Sequence, residues 1–356
     1  MKNWWKILGI LIMIYVLTAG LLIPLKSGIL HVDQSRLSTG ATATLKITGY
    51  NSHFTNNAYE AFIKLKEGYI ASRSLAIISD QEMNVIFDIP NDLPDDLPYV
   101  DATLVLINGK KDYSIYPSLR IVKSIDSSSS NANQWQNGLD ISEASWRFAF
   151  PYRNILVETI RNTFFHVAIW MAMFVLFIMG MINSIRYLRT SLPKYDHHAS
   201  SFTYIAVIYG VIGILTGSIW AKYTWGAFWV DDVKLNMVAI SMMIYLAYGV
   251  LRSSIDDYDK RAKSSAIYNI FAFVAMIPLI WIIPRMTSSL HPGSGGNPAF
   301  GGEDLDNTLR LVFYPAILSL ILMGMWIAQL MYRTKVIEEH QINKLLGNNE
   351  KTNLQY

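Results

Sequence analysis

The feature that most constrains the fold of this chain is a set of six apolar runs that contain no Asp, Glu, Lys or Arg. They cover residues 7–25, 162–185, 199–221, 235–251, 264–284 and 311–332. Each run is about 17 to 25 residues long, the length that an α-helix needs to cross the hydrocarbon core of a bilayer. With 52% hydrophobic and only 16% charged residues, the 356-residue chain is also too apolar for an ordinary soluble protein. The sequence therefore predicts an α-helical integral membrane protein with six transmembrane helices.

The first run has some features of a signal peptide, because Lys2 and Lys6 precede it. However, it is long, and the residues after it, Leu25-Lys-Ser27, lack a cleavage pattern of small residues. We interpret residues 1–27 as an uncleaved N-terminal anchor helix.

The distribution of basic residues predicts the orientation, because Lys and Arg favour short cytoplasmic loops. If all six runs span, one side carries Lys2, Lys6, Arg186, Arg189, Lys194, Arg252, Lys260, Arg261, Lys263, Arg333 and Lys335. The short loops of the other side carry fewer basic residues. We therefore expect a multi-pass protein of the inner (cytoplasmic) membrane with both termini in the cytoplasm and a periplasmic segment between the first two runs.

Short stretches of that segment alternate apolar and polar residues, as half-buried β-strands do. They include residues 44–48, 84–88 and 103–107. Asn108-Gly109 predicts a two-residue hairpin between residues 102–107 and 111–116. We predict a β-sandwich-like extracytoplasmic domain over residues 28–126, inserted between helices 1 and 2.

The remaining segments complete the predicted domain organisation. Residues 127–150 are rich in Ser and Asn and indicate a flexible polar linker. Residues 151–335 form a five-helix membrane domain, which contains a tryptophan-rich segment at 220–235. Residues 336–356 are polar and predict a partly disordered cytoplasmic tail.

Composition limits the chemistry that the chain can perform. The absence of cysteine excludes disulfides, thiolate metal sites and covalent haem attachment through a Cys-x-x-Cys-His motif. The net charge of +3 is small and spread along the chain, so nothing indicates a nucleic-acid partner.

The loop between the third and fourth runs reads Trp225-Gly-Ala-Phe-Trp229-Val-Asp-Asp-Val-Lys234. Tryptophans at membrane ends often only anchor to headgroups. An α-helix through this loop would instead place its large aromatic side chains and Asp232 along one face. That face would offer a flat surface for a planar ligand. Asp232 has an alternative role, as the N-cap of the helix that contains the fourth run.

Two histidines are predicted at a similar depth on the outer side. His166 lies near the outer end of the second run, where ionisable groups are costly enough to indicate function, and His291 lies in the loop before the sixth run. Either alone is compatible with an ordinary hydrogen-bonded residue. As a pair without cysteine they make a poor zinc site, whereas two imidazoles suffice as the axial ligands of haem iron. The porphyrin plane would then lie against the aromatic segment.

Four basic residues of the outer loops are candidate partners for the carboxylates of such a ligand. They are Lys222, Lys234, Arg285 and Arg310. Cations bind carboxylates strongly in partly desolvated sites, although the same side chains also reach out to lipid headgroups. His197 and His198 are predicted in a polar loop on the cytoplasmic side and are not assigned to the outer site.

Several motifs resemble those of the cytochrome c maturation protein C (CcmC) family, the haem-handling proteins of cytochrome c biogenesis. The matching stretches are Gly217-Ser-Ile-Trp220, Trp225-Gly-Ala-Phe-Trp229-Val-Asp-Asp-Val-Lys-Leu235, Phe165-His-Val167 and Leu290-His-Pro-Gly293. The resemblance covers about residues 154–332. This chain has Phe228, Asp231 and Lys234 where the family often has Trp, Trp and Arg, and Lys lacks the planar fork of Arg. The family also has only a short first external loop where this chain has its β-rich segment.

The resemblance implies haem b, bound without a covalent bond at the outer membrane face by His166 and His291. It implies a haem platform made of Trp220, Trp225, Gly226, Phe228, Trp229 and Asp232. Its implied partners are haem, a haem chaperone of the cytochrome c maturation protein E type and the subunits of an ABC-type transporter. The implied function is to hold and present haem, with no enzymatic transformation. Alternative functions are a b-haem subunit of a membrane oxidoreductase and a component of a haem transporter.

Overall fold

The computed structural model describes residues 3–66, 68–93, 97–109, 112–124, 134–139, 149–154, 156–291 and 305–345. The chain divides into two compact units. One contains Met1–Leu22 and Thr159–Tyr356, and the other contains Ile23–Glu158. Each unit is described by itself.

The first unit is helical. Its α-helices are α1 (Trp4–Leu22), α2 (Ala168–Thr190), α3 (Pro193–Trp225), α4 (Val233–Ser253), α5 (Tyr258–Ile277), α6 (Ile283–Met286) and α7 (Asn307–Leu345). A π-helical turn at Thr163–Val167 precedes α2, and another at Pro278–Ile282 joins α5 to α6. Within the described residues, six helical segments are long and apolar enough to cross a membrane. The prediction of six such helices is confirmed.

The observed helices are longer than the apolar runs that predicted them. The third run covers residues 199–221, but α3 extends from Pro193 to Trp225. A charged residue ends an apolar run without ending the helix, because Lys, Arg, Asp and Glu are compatible with helical backbone. Local signals set the real boundaries: a proline in the first turn of α3 and a left-handed Gly226 (φ 85°) after its last turn.

The outward surface of the helical unit is apolar, as a lipid environment requires. Leu22 of α1 is 78% exposed, Val250 of α4 is 67% exposed and Phe271 of α5 is 61% exposed. Exposed apolar surface on this scale is rare on soluble monomers. Together with the six apolar helices, it identifies a multi-pass membrane protein.

Helix α7 contains Pro315, which cannot donate the hydrogen bond that a helix normally makes to the carbonyl four residues earlier. That carbonyl belongs to Leu311, and the hydroxyl of Tyr15 in α1 donates to it at 3.1 Å. The contact joins α1 to α7 and satisfies a backbone acceptor that water cannot reach inside a bilayer.

The second unit is rich in β-structure. Its strands are β1 (Gly28–Val32), β2 (Arg36–Ser38), β3 (Thr42–Tyr50), β4 (Tyr59–Leu65), β5 (Gly68–Ala71), β6 (Ser74–Ile77), β7 (Glu82–Asp88), β8 (Tyr99–Asn108) and β9 (Tyr113–Val122). They form a four-stranded sheet in the order β1-β3-β7-β6 and a five-stranded sheet in the order β2-β9-β8-β4-β5. Alternating side chains of both sheets, such as Leu45, Val85 and Leu104, share one apolar cluster. A β-rich region is confirmed, and its stacking as a sandwich stays a prediction.

The predicted hairpin joins β8 to β9, but four residues separate the two strands where two were expected. The amide of Asn108 donates to the carbonyl of Asp112 at 2.8 Å, and Ile107 pairs with Tyr113. Residues 110 and 111 lie outside the described part of the chain. Asn108-Gly109 therefore predicts the turn correctly but not its length.

The predicted linker and tail contain ordered contacts. Gln136 exchanges two backbone hydrogen bonds with Tyr69 on the edge strand β5, at 2.8 and 2.9 Å, and the indole of Trp135 donates to the carbonyl of Asp92 at 2.7 Å. Helix α7 continues to Leu345, well into the segment expected to be partly disordered. Residues 127–133, 140–148 and 346–356 lie outside the described residues.

Candidate functional site

His166 lies in the π-helical turn Thr163–Val167 that leads into α2. Its Nδ1 is 3.0 Å from the carbonyl oxygen of Gly213 and 3.2 Å from Oγ1 of Thr216, both in α3. Because a carbonyl oxygen can only accept, Nδ1 carries the proton and Nε2 carries the lone pair. In the neutral form of the ring, the lone pair on Nε2 is then directed away from these partners.

A missing side chain creates the space for this ring. A Cβ at Gly217 would lie 2.5 Å from Cε1 of His166, and a Cβ at Gly213 would lie 2.7 Å from Cε2 of Trp170. The spacing Gly213-x-x-x-Gly217 is the small-residue pattern that lets membrane helices approach closely. That pattern is the sequence signal that could have identified the contact of α3 with His166.

His291 follows α6 and is held by a carboxylate. Its Nδ1 is 3.2 Å from Oδ1 of Asp232, and 15% of its side chain is exposed. Burial and the nearby Lys234 ammonium lower the pKa of His291 to about 4, although Asp232 acts in the opposite direction. The imidazole is therefore neutral near pH 7, its Nδ1–H donates to the carboxylate, and its Nε2 has no hydrogen-bond partner among the described residues.

Asp232 is 4% exposed and has both carboxylate oxygens bonded to protein donors. Oδ1 accepts from the backbone amides of Lys234 at 2.9 Å and Leu235 at 3.4 Å, which confirms the N-cap interpretation for α4. Oδ2 accepts from the amide of Leu290 at 2.8 Å. Burial alone would raise the pKa of this carboxyl group, but the hydrogen bonds from Leu290 and Ser289 and the adjacent His291 hold it below its usual value.

The contact of Asp232 with His291 was not predicted from the sequence. The two residues are 59 positions apart, and neither motif indicates the other. The carboxylate therefore lies behind a histidine ring and does not form part of an open aromatic surface.

The aromatic segment does not continue as a helix. Helix α3 ends at Trp225, and residues 226–232 form bends and extended backbone. The expected single helical face with Phe228, Trp229 and Asp232 is therefore wrong, because Gly226 adopts the left-handed conformation that ends helices. The break after Trp225 divides the aromatic residues of the predicted platform into two groups. Trp220 and Trp225 precede Gly226, and Phe228 and Trp229 follow it.

One group packs on His291, and the other is exposed. The ring centroid of Trp225 is 4.8 Å from that of His291, and the centroid of Trp220 is 6.0 Å from it. Phe228 is 60% exposed and Trp229 is 43% exposed. The indole nitrogen of Trp229 donates to Oδ1 of Asn236 at 3.4 Å.

The C-terminal end of α3 brings the two histidines together. His166 contacts α3 at Thr216 and Gly217, and His291 contacts it at Trp220 and Trp225. At a rise of about 1.5 Å per residue, Gly217 and Trp220 are separated by only about one helical turn. Two imidazoles whose Nε2 atoms have no hydrogen-bond partner among the described residues therefore contact neighbouring turns of one helix.

The four candidate cations differ in their surroundings. Lys222 donates to the carbonyl of Gly226 at 2.9 Å and lies 5.7 Å from the ring centroid of Phe228. Arg285 lies 5.5 Å from the ring of Trp281. Lys234 lies near enough to His291 to act on its pKa. The Nε atom of Arg310 is buried and has no hydrogen-bond partner in the described part of the chain.

The two histidines predicted on the cytoplasmic side, His197 and His198, are engaged with protein side chains. Both lie in the second turn of α3, where the sequence predicted a loop. Nε2 of His197 is 2.7 Å from Oε2 of Glu339, and the ring of His198 stacks on Tyr332 at 3.9 Å and 4°. Through residues 3–345, with the gaps given above, no group of three His, Cys, Asp or Glu side chains could hold a metal ion.

Comparison with known proteins matches residues 144–346 to the family described as CcmC, Heme exporter protein C. That match covers more than half of the chain. The chain belongs to the CcmC family. All of the helices α2–α7 lie within the matched range, and the strands β1–β9 lie outside it. The family assignment confirms the resemblance seen in the motifs and supports a haem-handling role in cytochrome c biogenesis or haem export.

Individual CcmC relatives are distant and align over part of their length. Heme exporter protein C of Bradyrhizobium diazoefficiens is 29% identical over 155 residues, 43% of this chain and 57% of the relative. A putative cytochrome c biosynthesis ccmC-like mitochondrial protein of Marchantia polymorpha is 30% identical over 140 residues, 38% of this chain and 57% of the relative. Heme exporter protein C of Paracoccus denitrificans is 23% identical over 208 residues, 57% of this chain and 83% of the relative. The chain thus spans little more than half the length of the first two.

Proposed function

We propose that this protein binds haem b without a covalent bond at the outer membrane face and presents it to a haem chaperone. The observation that carries the proposal is the pair of neutral imidazoles, His166 and His291. Each uses Nδ1 for a protein hydrogen bond and leaves Nε2 for iron. Outer hydrogen bonds of this kind fix the tautomer and direction of metal-ligating histidines. The donor set suits haem iron, which takes two axial ligands from protein.

The proposed location follows from the distribution of charge along the chain. The basic residues outside the apolar runs are concentrated at the run ends that we assign to the cytoplasm, which supports cytoplasmic termini and a periplasmic β-rich region in an inner-membrane protein. In this orientation the C-terminal end of α3 and His291 face the periplasm.

The two aromatic groups have different proposed roles. Trp220 and Trp225 pack against the His291 ring, so they restrict its orientation and limit the access of water to it. Phe228 and Trp229 are exposed, and the ammonium of Lys222 lies over the Phe228 ring. Exposed aromatic and cationic side chains are typical of binding hot spots. We assign this exposed surface to contact with haem or with the chaperone that receives it.

The basic residues Lys222, Lys234, Arg285 and Arg310 remain the proposed partners of the haem propionates. The unpartnered Nε of Arg310 supports this role for one of them, because a buried guanidinium nitrogen without an acceptor is costly. The protein holds and presents haem, and we propose no chemical transformation at the site. The ABC-type transporter subunits belong to the proposed assembly through the family.

An electron-transfer subunit is the alternative that the structure favours less. Electron flow across the membrane needs a second redox centre near the inner face, and only His197 and His198 are candidates for it. His197 is bonded to Glu339 through Nε2, and His198 stacks on Tyr332. A transporter component is distinguished from a presenting factor by whether haem leaves to a chaperone or crosses the bilayer.

The haem content of purified full-length protein tests the proposal. We expect haem that acidified acetone extracts completely, as non-covalent haem b does, and its loss in the double variant His166→Ala/His291→Ala. The matched control is His31→Ala/His53→Ala, which removes two histidines of the β-rich unit. Haem retained at wild-type level in the first double variant would refute the ligand assignment. Trp229→Ala tests presentation, with normal haem content and impaired transfer to the chaperone expected.

We also propose that the β-rich region docks a partner of the assembly, because it has no counterpart in the matched range of the family. Replacing residues 31–137 by a short linker is expected to impair complex formation, measured by co-purification, before it impairs haem binding. Normal co-purification of all partners after the deletion would contradict this role.

A further inference from the structure

The two proposed ligands are held by chemically different partners. Nδ1 of His166 faces two uncharged acceptors, the carbonyl of Gly213 and the hydroxyl of Thr216. Nδ1 of His291 faces the carboxylate of Asp232. Hydrogen bonds to an ionised acceptor are about twice as strong as those to a neutral one. The two imidazoles are therefore not equivalent as donors to iron.

The carboxylate is fixed in position by three further hydrogen bonds. The amides of Lys234 and Leu235 at the start of α4 hold Oδ1, and the amide of Leu290 holds Oδ2. Leu290 directly precedes His291, so the carboxylate of Asp232 accepts hydrogen bonds from both the Leu290 backbone amide and the His291 ring. Asp232 cannot rotate away from the histidine without breaking the cap of α4.

We propose that Asp232 is a positioning residue that makes His291 the stronger of two unequal axial ligands. A carboxylate on Nδ1 draws the proton toward itself and increases the electron density that Nε2 donates to the metal. Asp232 acts on the ring directly, because its Oδ1 lies 3.2 Å from Nδ1 of His291. His291 then anchors the haem, and His166 is the ligand that is given up on transfer.

The inference rests on the proposed function and adds an order to the release of haem. On transfer, the bond between iron and Nε2 of His166 breaks, and a lone pair from the acceptor replaces it. The oxidation state of iron does not change in this exchange. His291 and Asp232 keep the haem on the protein until the new bond has formed.

The first experiment compares Asp232→Asn with Asp231→Asn in haem-loaded full-length protein. Asn retains the shape of Asp and remains a good helix N-cap, but its neutral amide does not attract the Nδ1 proton. Asp231 is the matched control because its carboxylate accepts from the side chain of Asn236 at 3.0 Å and makes no bond to a histidine. The measurements are the rate of ferric haem loss to excess apomyoglobin and the midpoint potential of the bound haem.

We expect ferric haem loss about 10 to 100 times faster in Asp232→Asn, the usual effect of removing an outer-shell partner of a metal ligand. If that loss affects only the ferric state, each tenfold change raises the midpoint potential by about 59 mV. Asp231→Asn should resemble wild type, and Asp232→Glu, which restores the charge, should recover part of the effect. An Asp232→Asn protein with wild-type haem loss and potential would overturn the inference.

A second comparison decides the question even if Asp232→Asn does not fold. The inference predicts that His166→Ala retains haem longer than His291→Ala, with a spectrum of one histidine ligand that added imidazole converts to six-coordinate. Equal retention, or the reverse order, overturns it. Haem retained by the double histidine variant would instead refute the proposed function, so the two failures are distinguishable.

Discussion

The contact between Gly217 and His166 gives a quantitative test of the site geometry. In Gly217→Ala, the new Cβ would lie 2.5 Å from Cε1 and 3.2 Å from Nδ1 of His166. Real Cβ atoms do not approach a ring so closely, so the imidazole must move away from Gly213 and Thr216. Overpacking of this kind costs about 1 to 3 kcal/mol. Since 1.4 kcal/mol corresponds to a factor of ten, we expect haem affinity to fall roughly 5- to 150-fold.

The matched control is Gly249→Ala in α4, because a Cβ there would lie 3.8 Å from the nearest atom, Cε1 of Tyr204. Both substitutions replace a helical glycine, so the change in helix propensity is the same and the steric contact is the difference. The assay is a titration of the purified haem-free protein with haem, followed by absorbance. Gly217→Ala with the affinity of Gly249→Ala would refute the position assigned to the His166 ring.

Three further substitutions test other parts of the structure. Arg252 and Asp196 form a bidentate pair at 2.6 and 2.7 Å, and Arg252→Met leaves the Asp196 carboxylate as an unpaired buried charge. Thermal unfolding in detergent should show that the free energy of unfolding falls by about 3 to 5 kcal/mol. An unchanged unfolding midpoint would contradict the pairing. Tyr15→Phe removes the hydroxyl that donates to the carbonyl of Leu311 and should lower the free energy of unfolding by about 0.6 kcal/mol. Tyr314→Phe is the control, because Tyr314 is 55% exposed and its replacement should not change that free energy measurably. Hydrogen bonds from Thr55 and His53 hold the pKa of Asp80 below its usual 3.8, so its stabilising contribution is complete above pH 3.8 and is lost as the pH falls toward the folded-state value. Asp80→Asn should therefore weaken the acid dependence of amide hydrogen exchange in β3 and β7, and an unchanged acid dependence contradicts this.

The membrane part of the fold could be predicted because its signal is local. A run such as residues 235–251 identifies a helix by length and lack of charge, and α4 extends it by only two residues at each end. Boundaries were less predictable where charged residues continue a helix, as with His197 in α3. Within the predicted tail, α7 continues to Leu345, because polar composition does not exclude a helix that continues from a membrane span.

The candidate site could be predicted only in part. His166 and His291 were predicted from their residue type and depth, and the structure places both against the C-terminal end of α3. The pairing of His291 with Asp232 depends on a contact across 59 residues, which no local pattern encodes. The helical arrangement expected for the aromatic segment was wrong because Gly226 ends α3, and the same glycine separates Trp225 from the exposed Trp229.

The spectrum of the purified, haem-loaded protein tests the central claim most directly, since it reports the axial ligands themselves. Visible absorption and electron paramagnetic resonance of the ferric protein should show low-spin iron with two histidine ligands in wild type. His166→Ala and His291→Ala should each change that spectrum to one with a single histidine ligand. A wild-type spectrum that persists in either single variant would contradict ligation by these two residues.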